Sequence, residues 1–328
     1  MIRVITKGET GNLSLIEGID AARYAISHQG DTRPRVWLDL TTPTTDEIDL
    51  LLKELKFADY SIEDALREDH PAKVEEVGEE GSRAPYLFII ARTPTANEGH
   101  PSEAVSLFIR PKLLISLHLQ ESQRVNTAIE RVIRDPKLTI GFGIEFAATA
   151  ILDEFIEAYE PTLDEFENRI EVLEGIVVED FEKCSLEQVL QLRQTATQLH
   201  REARPMRDIM ASLAREGHPY IKAKSRIAFR DLYDQVQRAL DRLESNRELI
   251  ASLRDAHLAM QNNRMNNVMK TLTVVSVVNG AMAVVTGIFG MNLLIPGADH
   301  RHAFIYTILG MLGLSALIYA LFRWRRWV

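Results

Sequence analysis

Two long apolar runs, both confined to residues 271–322, limit what this chain can fold into. Thr271 to Gly290 carries no charged side chain over the roughly 20 residues that cross a bilayer core. Ala303 to Phe322 repeats the pattern. The loop between them is too short to be a domain, so the two runs form a closely spaced pair of spans at the end of a large polar chain.

Charge divides the chain at the same place. The whole sequence of 328 residues carries a formal net charge of −9. From Arg264 onward six basic residues (Arg264, Lys270, Arg301, Arg323, Arg325 and Arg326) face one acid, Asp299, which puts +5 there and leaves −14 on residues 1–263. So acidic a body argues against nucleic acid as a partner, because phosphate binding needs a basic footprint. It suits cations. The basic residues flank both runs on the side of the polar body, so the positive-inside rule puts both termini in the cytoplasm and residues 291–302 outside. Trp324 and Trp327 then form an aromatic belt at the inner interface, in contact with lipid. The expected location is a bacterial inner membrane. Met1 to Thr10 lacks the apolar core of a cleaved signal. Cys184, the single cysteine, excludes an intrachain disulfide framework and suits a reducing compartment.

Residues 1–140 read as a mixed α/β domain. Val36 to Leu40 is a short strand, and Thr45 caps a helix running to about Lys56. A further helix covers Ser61 to Glu68 and ends before His70-Pro71. Tyr86 to Ala91, Ala104 to Ile109 and Leu113 to His118 read as strands, with polar, turn-rich stretches at Glu75–Arg83 and Pro94–Ser102. Beyond Glu121 the texture is helical. Residues 141–225 hold an acidic helix, Ile144 to Val178, and a second helix, Leu186 to Glu216, broken at Gly217-His218-Pro219. A third begins near Arg226 and meets no Pro or Gly before Asn279; continuous, it spans roughly 50 residues, or about 80 Å. A helix of that length outgrows a globular domain and reads as a stalk over 226–270. Span one then covers 271–292, an outer loop 293–302, span two 303–322, and a basic tail 323–328.

The residues at the stalk's end are specific. Asn266-Asn267-Val268-Met269-Lys270-Thr271-Leu272-Thr273 is followed, after 18 residues, by Asn292, which closes Gly290-Met291-Asn292. This arrangement resembles the CorA family of divalent-cation channels. The likeness extends to Trp37-Leu38-Asp39-Leu40, Ser61-Ile62-Glu63-Asp64-Ala65, Pro71-Ala72-Lys73-Val74-Glu75, the acidic helices and the basic C-terminus. It implies an α+β cytoplasmic domain followed by a long stalk helix and two transmembrane helices, assembled as a funnel-shaped homopentamer with the first span lining an axial pore. It also implies Gly290, Met291 and Asn292 as the selectivity filter, a pore-facing Asn266, and Asp255 on the stalk as an acid that senses cytoplasmic ion. Divalent cations (Mg2+, Zn2+, Co2+) are then substrate and regulator, with no prosthetic group.

The residues support that chemistry independently. Mg2+ holds its waters tightly, so a ring of neutral Asn292 amides would bind the hydrated ion without stripping or trapping it. A divalent cation gains about 4.6 kcal/mol per 100 mV on entering against a negative interior, enough to drive uptake without a nucleotide. Counting back from Asn292, the positions Gly287, Ala283, Gly280, Ser276, Thr273, Met269 and Asn266 recur every three to four residues. They read either as a pore-lining stripe or as small-residue packing between spans. Lys270 reads as snorkelling to headgroups.

Departures from the family pattern bear on the ion and the gate. Small residues stand at Gly280 and Ala281, where the family often has a bulkier gate and a Pro. The loop Leu293-Leu294-Ile295-Pro296-Gly297 is closer to the zinc-transporter branch (ZntB-like) than to the acidic loop of the magnesium branch, whereas Met291 follows the magnesium signature. Asp299, His300 and His302 suit Zn2+ better than Mg2+. Glu154, Glu157, Asp164, Glu165 and Glu167 read as a solvated face with some capacity for cations; His200 and His257 read as structural or surface residues. The expected function is transport of Zn2+ or Mg2+/Co2+, with a non-conducting membrane-anchored sensor or scaffold as the alternative. An enzyme is not expected: no phosphate loop, soluble metal cluster or nucleophile–base pair is visible.

Overall fold

The computed structural model describes residues 1–7, 13–27, 35–79, 84–94, 102–136, 140–179, 184–291, 301–325 and 327. The chain divides into two compact units, Met1–Ile176 with Ser185–Ser252, and Val177–Cys184 with Leu253–Val328.

The first unit is built on a seven-stranded sheet. Its strands are β1 (Ile2–Lys7), β2 (Leu13–Glu17), β3 (Val36–Thr41), β4 (Lys73–Val77), β5 (Tyr86–Arg92), β6 (Ala104–Arg110) and β7 (Leu113–His118), in the order β2-β1-β3-β7-β6-β5-β4. Only the central pair β3–β7 is parallel; every other pairing is antiparallel. Strands β5, β6 and β7 are almost continuously apolar because both faces of the sheet are covered there. On one face Val36, Leu38, Leu40, Phe88 and Phe108 pack against α1 (Ile19–Ser27), α2 (Thr45–Asp49), a π-helical segment Leu50–Glu54, and α3 (Asp59–Ala65). Alternation along β3 sends Trp37 and Asp39 to the opposite face, where α5 (Ile144–Glu157) lies on β3, β5, β6 and β7 and against α4 (Gln123–Arg134).

Several boundaries differ from the sequence expectation. The cap of α2 is Thr44 rather than Thr45: its hydroxyl accepts from the Glu47 amide, and the Glu47 carboxylate accepts from the Thr44 amide, a reciprocal capping box. The polar stretch after Pro71 contains an edge strand, β4, because Val74 and Val77 suffice once β5 supplies the ladder. The single acidic helix is two, α5 and α6 (Tyr159–Glu179), separated at Ala158. Helix α7 (Leu186–Leu213) is followed by a turn at Gly217, whose φ of +77° lies in the left-handed region that favours glycine. There the His218 Nε2 faces the Glu76 carboxylate at 3.3 Å and seats the turn on β4.

Helix α8 (Ala223–Phe289) runs for 67 residues, about 100 Å, joining the expected stalk and first span without a break at Gly280 or Gly287. Glycine costs about 1 kcal/mol in a helix interior, which a helix of this length absorbs. Its residues to Ser252 belong to the first unit. There the Arg242 guanidinium donates to Glu167 Oε1 and Oε2 at 2.9 and 2.7 Å and to Asp164 Oδ1 at 2.6 Å. The second unit holds the rest of α8 and α9 (Ala303–Trp324).

Candidate functional site

The second unit inverts the usual relation between apolarity and burial. The apolar windows of α8 and α9 are only 6% and 0% buried. Val284, Ile288, Phe304 and Leu312 are among the large side chains left open. Such a surface is incompatible with water and fits a hydrocarbon solvent.

Within this unit α8 has two distinct sides. Val274 is buried, and Val278, Ala281, Met282 and Val285 are half-buried, at a helical spacing. On α9 the half-buried residues Thr307, Met311, Leu314, Ser315, Ile318 and Phe322 share one face, and the Ser315 hydroxyl meets the Met282 sulfur at 3.6 Å. Those are the faces that pack. The seven expected pore positions (Asn266, Met269, Thr273, Ser276, Gly280, Ala283 and Gly287) lie elsewhere: at 3.6 residues per turn they fall within about 100° of arc, roughly opposite the α9 side. All are exposed except Thr273, which is half-buried. Their strict 3-4 alternation is the heptad spacing that lets copies of a helix wind round one another. Thr273 donates its hydroxyl proton to the Met269 carbonyl at 2.8 Å, leaving oxygen lone pairs outward.

The same step carried back along α8 reaches Asp255, which is exposed and accepts from Nε and Nη2 of Arg254 at 3.1 and 2.9 Å. At the other end, the Gly290 amide donates to the Thr286 carbonyl at 2.8 Å. A Cβ on Gly290 would stand 3.1 Å from that carbonyl oxygen, so close approach is the local demand for glycine here. Met291 follows, exposed, its amide donating to the Ile288 carbonyl. Asn292, Asp299 and His300 lie outside the described residues. His302 sits at the N-cap position of α9 without capping it, exposed, with its ring edge-on to Tyr306 at 6.5 Å. Among the described residues no group of three metal-ligating side chains converges.

The expected acidic face of the first unit is partly committed to bases. Asp164 and Glu167 are clamped by Arg242, and Asn246 also donates to Glu167 at 3.1 Å. The Arg242 hydrogen bonds hold the Glu167 carboxyl below its ordinary range despite partial burial. Glu154 is half-buried and goes the other way: burial, then the nearby Glu157, pushes its carboxyl up against the pull of Arg131. Glu157 and Glu165 are exposed, His257 is buried and His200 half-buried.

Sequence reading missed a buried ionic network in the sheet. Asp39 is fully buried; Oδ2 accepts from Arg3 Nε and Nη2 at 3.0 and 2.6 Å, and Oδ1 accepts from the Ser116 hydroxyl and from His118 Nε2 at 3.2 Å. Trp37 Nε1 donates to Ser116 at 2.9 Å, and His118 Nδ1 faces the Gln120 carbonyl. Both ring nitrogens of His118 thus face acceptors. Burial lowers the His118 value, but Asp39 and the Gln120 carbonyl outweigh it and raise the imidazole above its usual range. Burial likewise raises Asp39, and His118, Arg3 and Ser116 together hold it below its usual value. The signal was present: one acid inside the apolar β3, and Ser and His two apart inside the apolar β7, brought side by side by the parallel register.

A profile of the CorA-like Mg2+ transporter proteins matches residues 35–326. The chain belongs to that family. As a CorA-type protein it is a divalent-cation transporter with two C-terminal membrane helices. It is 25% identical over 295 residues to the cobalt/magnesium transport protein CorA of Methanocaldococcus jannaschii, covering 89% of this chain and 91% of that one. It is also 27% identical over 207 residues to the zinc transport protein ZntB of Pectobacterium atrosepticum, covering 61% of each. The complete structure of the CorA magnesium transporter from M. jannaschii superposes with a TM-score of 0.82 at 23% identity, over 100% of this chain and 99% of the other. The mixed α/β domain, long helix and pair of candidate spans are therefore the CorA fold.

Proposed function

We propose that this protein assembles as a homopentamer in the bacterial inner membrane and passes divalent cations along an axial pathway lined by α8. One observation carries the reading: the exposed stripe from Asn266 to Gly287 lies opposite the side that packs on α9. Five copies arranged with α9 outward turn that stripe to the axis. Apart from Met269, its members are small or carry neutral oxygens, so a hydrated ion meets hydrogen-bond partners and no fixed charge. The C-terminal end of α8 carries the negative pole of the helix dipole, and five such ends at the outer mouth favour a cation. Asn292 follows directly and would supply a ring of amide oxygens to the ion's waters, with Gly290 and Met291 completing the filter. Asp255, on the same stripe, would meet cytoplasmic ion; Arg254 beside it is the group an ion would have to displace. Both termini are then cytoplasmic, and the activity is transport rather than catalysis.

For the ion we place Zn2+ slightly before Mg2+ and Co2+, on the Asp299, His300 and His302 group of the outer loop. The alternative of a non-conducting sensor would share every feature except flux. Purified protein in proteoliposomes decides among them, with Mg2+ and Zn2+ entry followed under an imposed voltage and, separately, under an imposed proton gradient. Zinc flux that follows the proton gradient and disappears in the His300→Ala, His302→Ala double variant supports the zinc reading. Voltage-driven Mg2+ flux indifferent to that variant replaces it with a magnesium channel. No flux of either ion leaves the sensor.

A further inference from the structure

At the carboxyl ends of β5 and β7, in the first unit, a recess of about 230 Å3 opens between the last turn of α3 and the first turn of α4. Ligands of open α/β sheets settle outside strand ends of this kind. Its inner wall is apolar, made by Ala65, Ile90, Leu117 and Leu119. Against that wall stand two opposite charges, Glu103 just ahead of β6 and Arg124 on α4, both half-buried. Arg124 Nε lies 3.5 Å from Glu103 Oε2, where the two attract without a hydrogen bond. That nitrogen and Glu103 Oε1 are buried and make no hydrogen bond among the described residues. Thr93, fully buried after the end of β5, lines the recess with its hydroxyl equally unengaged. Its amide donates to the Glu103 carbonyl at 2.9 Å, which ties the two residues together. Arg92 braces the rim from behind, donating to the Glu68 and His70 carbonyls at 2.7 and 2.8 Å and to the Ser102 hydroxyl at 2.9 Å. The outer charges are engaged elsewhere: Arg67 faces Asp69 at 3.6 Å and Glu68 accepts from Gln120 at 3.4 Å. Glu121 is exposed at the mouth.

We propose that this recess binds a free α-amino acid with a branched aliphatic side chain. Its carboxylate pairs with Arg124, its ammonium with Glu103 and the Thr93 hydroxyl, and its side chain packs against Ile90 and Leu117. The charges decide the class. A simple anion gains Arg124 but is repelled by Glu103, and a simple cation meets the reverse. A metal ion is not favoured, since no three ligating side chains converge among the described residues. A zwitterion answers both charges at once. Its carboxylate and ammonium sit on one carbon, matching a guanidinium and a carboxylate held side by side, and the apolar wall strengthens each pairing by excluding water. The volume decides the size: it lies below the roughly 300 Å3 at which pockets begin to take drug-sized ligands, so it suits one residue rather than a peptide. The site lies in the first unit and uses no part of the ion path.

The test titrates the full-length protein in detergent, by calorimetry, with L-leucine, isopentylamine and 4-methylpentanoate. The three share one hydrocarbon chain; the amine lacks the carboxylate and the acid lacks the ammonium. Wild type should bind L-leucine at least about tenfold more tightly than either analogue, because each analogue forgoes one charge-assisted pairing. Arg124→Gln should weaken L-leucine by about tenfold and leave isopentylamine no weaker. Glu103→Gln should weaken L-leucine to the same degree and leave 4-methylpentanoate no weaker. A misfolded variant cannot produce that crossed pattern, and the wild-type ranking involves no variant at all. Three results would each overturn the assignment: no saturable binding of L-leucine, an analogue that binds wild type as tightly as L-leucine does, or, with circular dichroism unchanged, an equal loss for all three ligands in either variant. Ion flux is not the readout, so a protein that conducts nothing can still pass, and one that conducts can still fail.

Discussion

In the first unit Trp37, Tyr86, Phe88 and Phe108 are sealed inside and the buried Asp39 is held by Arg3 and His118; in the second Phe304, Ile305, Leu312 and Trp324 face outward. The two regions share the same amino acids and obey different solvents. Water expels the apolar side chains of the sheet and forces Asp39, once buried, to find Arg3, Ser116 and His118. Hydrocarbon imposes no such expulsion, so the apolar faces of α8 and α9 can stay outside, and shape and hydrogen bonding select which side packs.

The largest expected effect falls on the stripe. Gly280→Leu or Ser276→Leu should cut ion flux at least about tenfold in proteoliposomes by narrowing the path, whereas Val277→Leu, one residue away, should leave it within about twofold. Equal losses at all three positions would dissolve the distinction between the sides of α8. In the first unit Asp39→Ala strands a buried guanidinium and imidazole, and should lower stability by about 3–5 kcal/mol in urea titrations followed by circular dichroism, without altering helix content at low urea.

The pH dependence of the same network follows from its two shifts. The Asp39 value is depressed on folding, so its contribution is present above the unfolded carboxylate value and lost as pH falls through the folded one. The His118 value is raised, so its contribution is complete below the unfolded imidazole value and lost as pH rises through the folded one. The pair should stabilise most between the ordinary values of 3.8 and 6.5, and His118→Asn should remove the decline on the alkaline side of the stability profile. The smallest effect is at the α2 cap: Thr44→Ala should cost about 1 kcal/mol in the same titration and leave flux untouched.

Much of the fold was legible, for local reasons. Strands β5, β6 and β7 announced themselves as almost continuously apolar runs, and Ser185 with Gln188 marks the start of α7 by a capping box. The edge strands β2 and β4, and β1 beside β2, were not read, because each is short and takes its order from a neighbour rather than from its own pattern. Of the candidate site, the spacing from Asn266 to Gly287 was visible and its orientation was not. Periodicity names a face; it does not say what the face meets.

The amino-acid sequence by itself determined that this chain carries two membrane-length apolar segments, an acidic α/β body and a CorA-type signature, since apolarity, charge and spacing are properties of short stretches. Only the tertiary structure decided that Met282 and Ser315 set the packed side of α8, that Arg242 occupies Asp164 and Glu167, and that Asp39 is held by Arg3 and His118. Those partners lie 33 to 79 residues apart. No local pattern records such a contact, because its energy exists only once the chain has closed the distance.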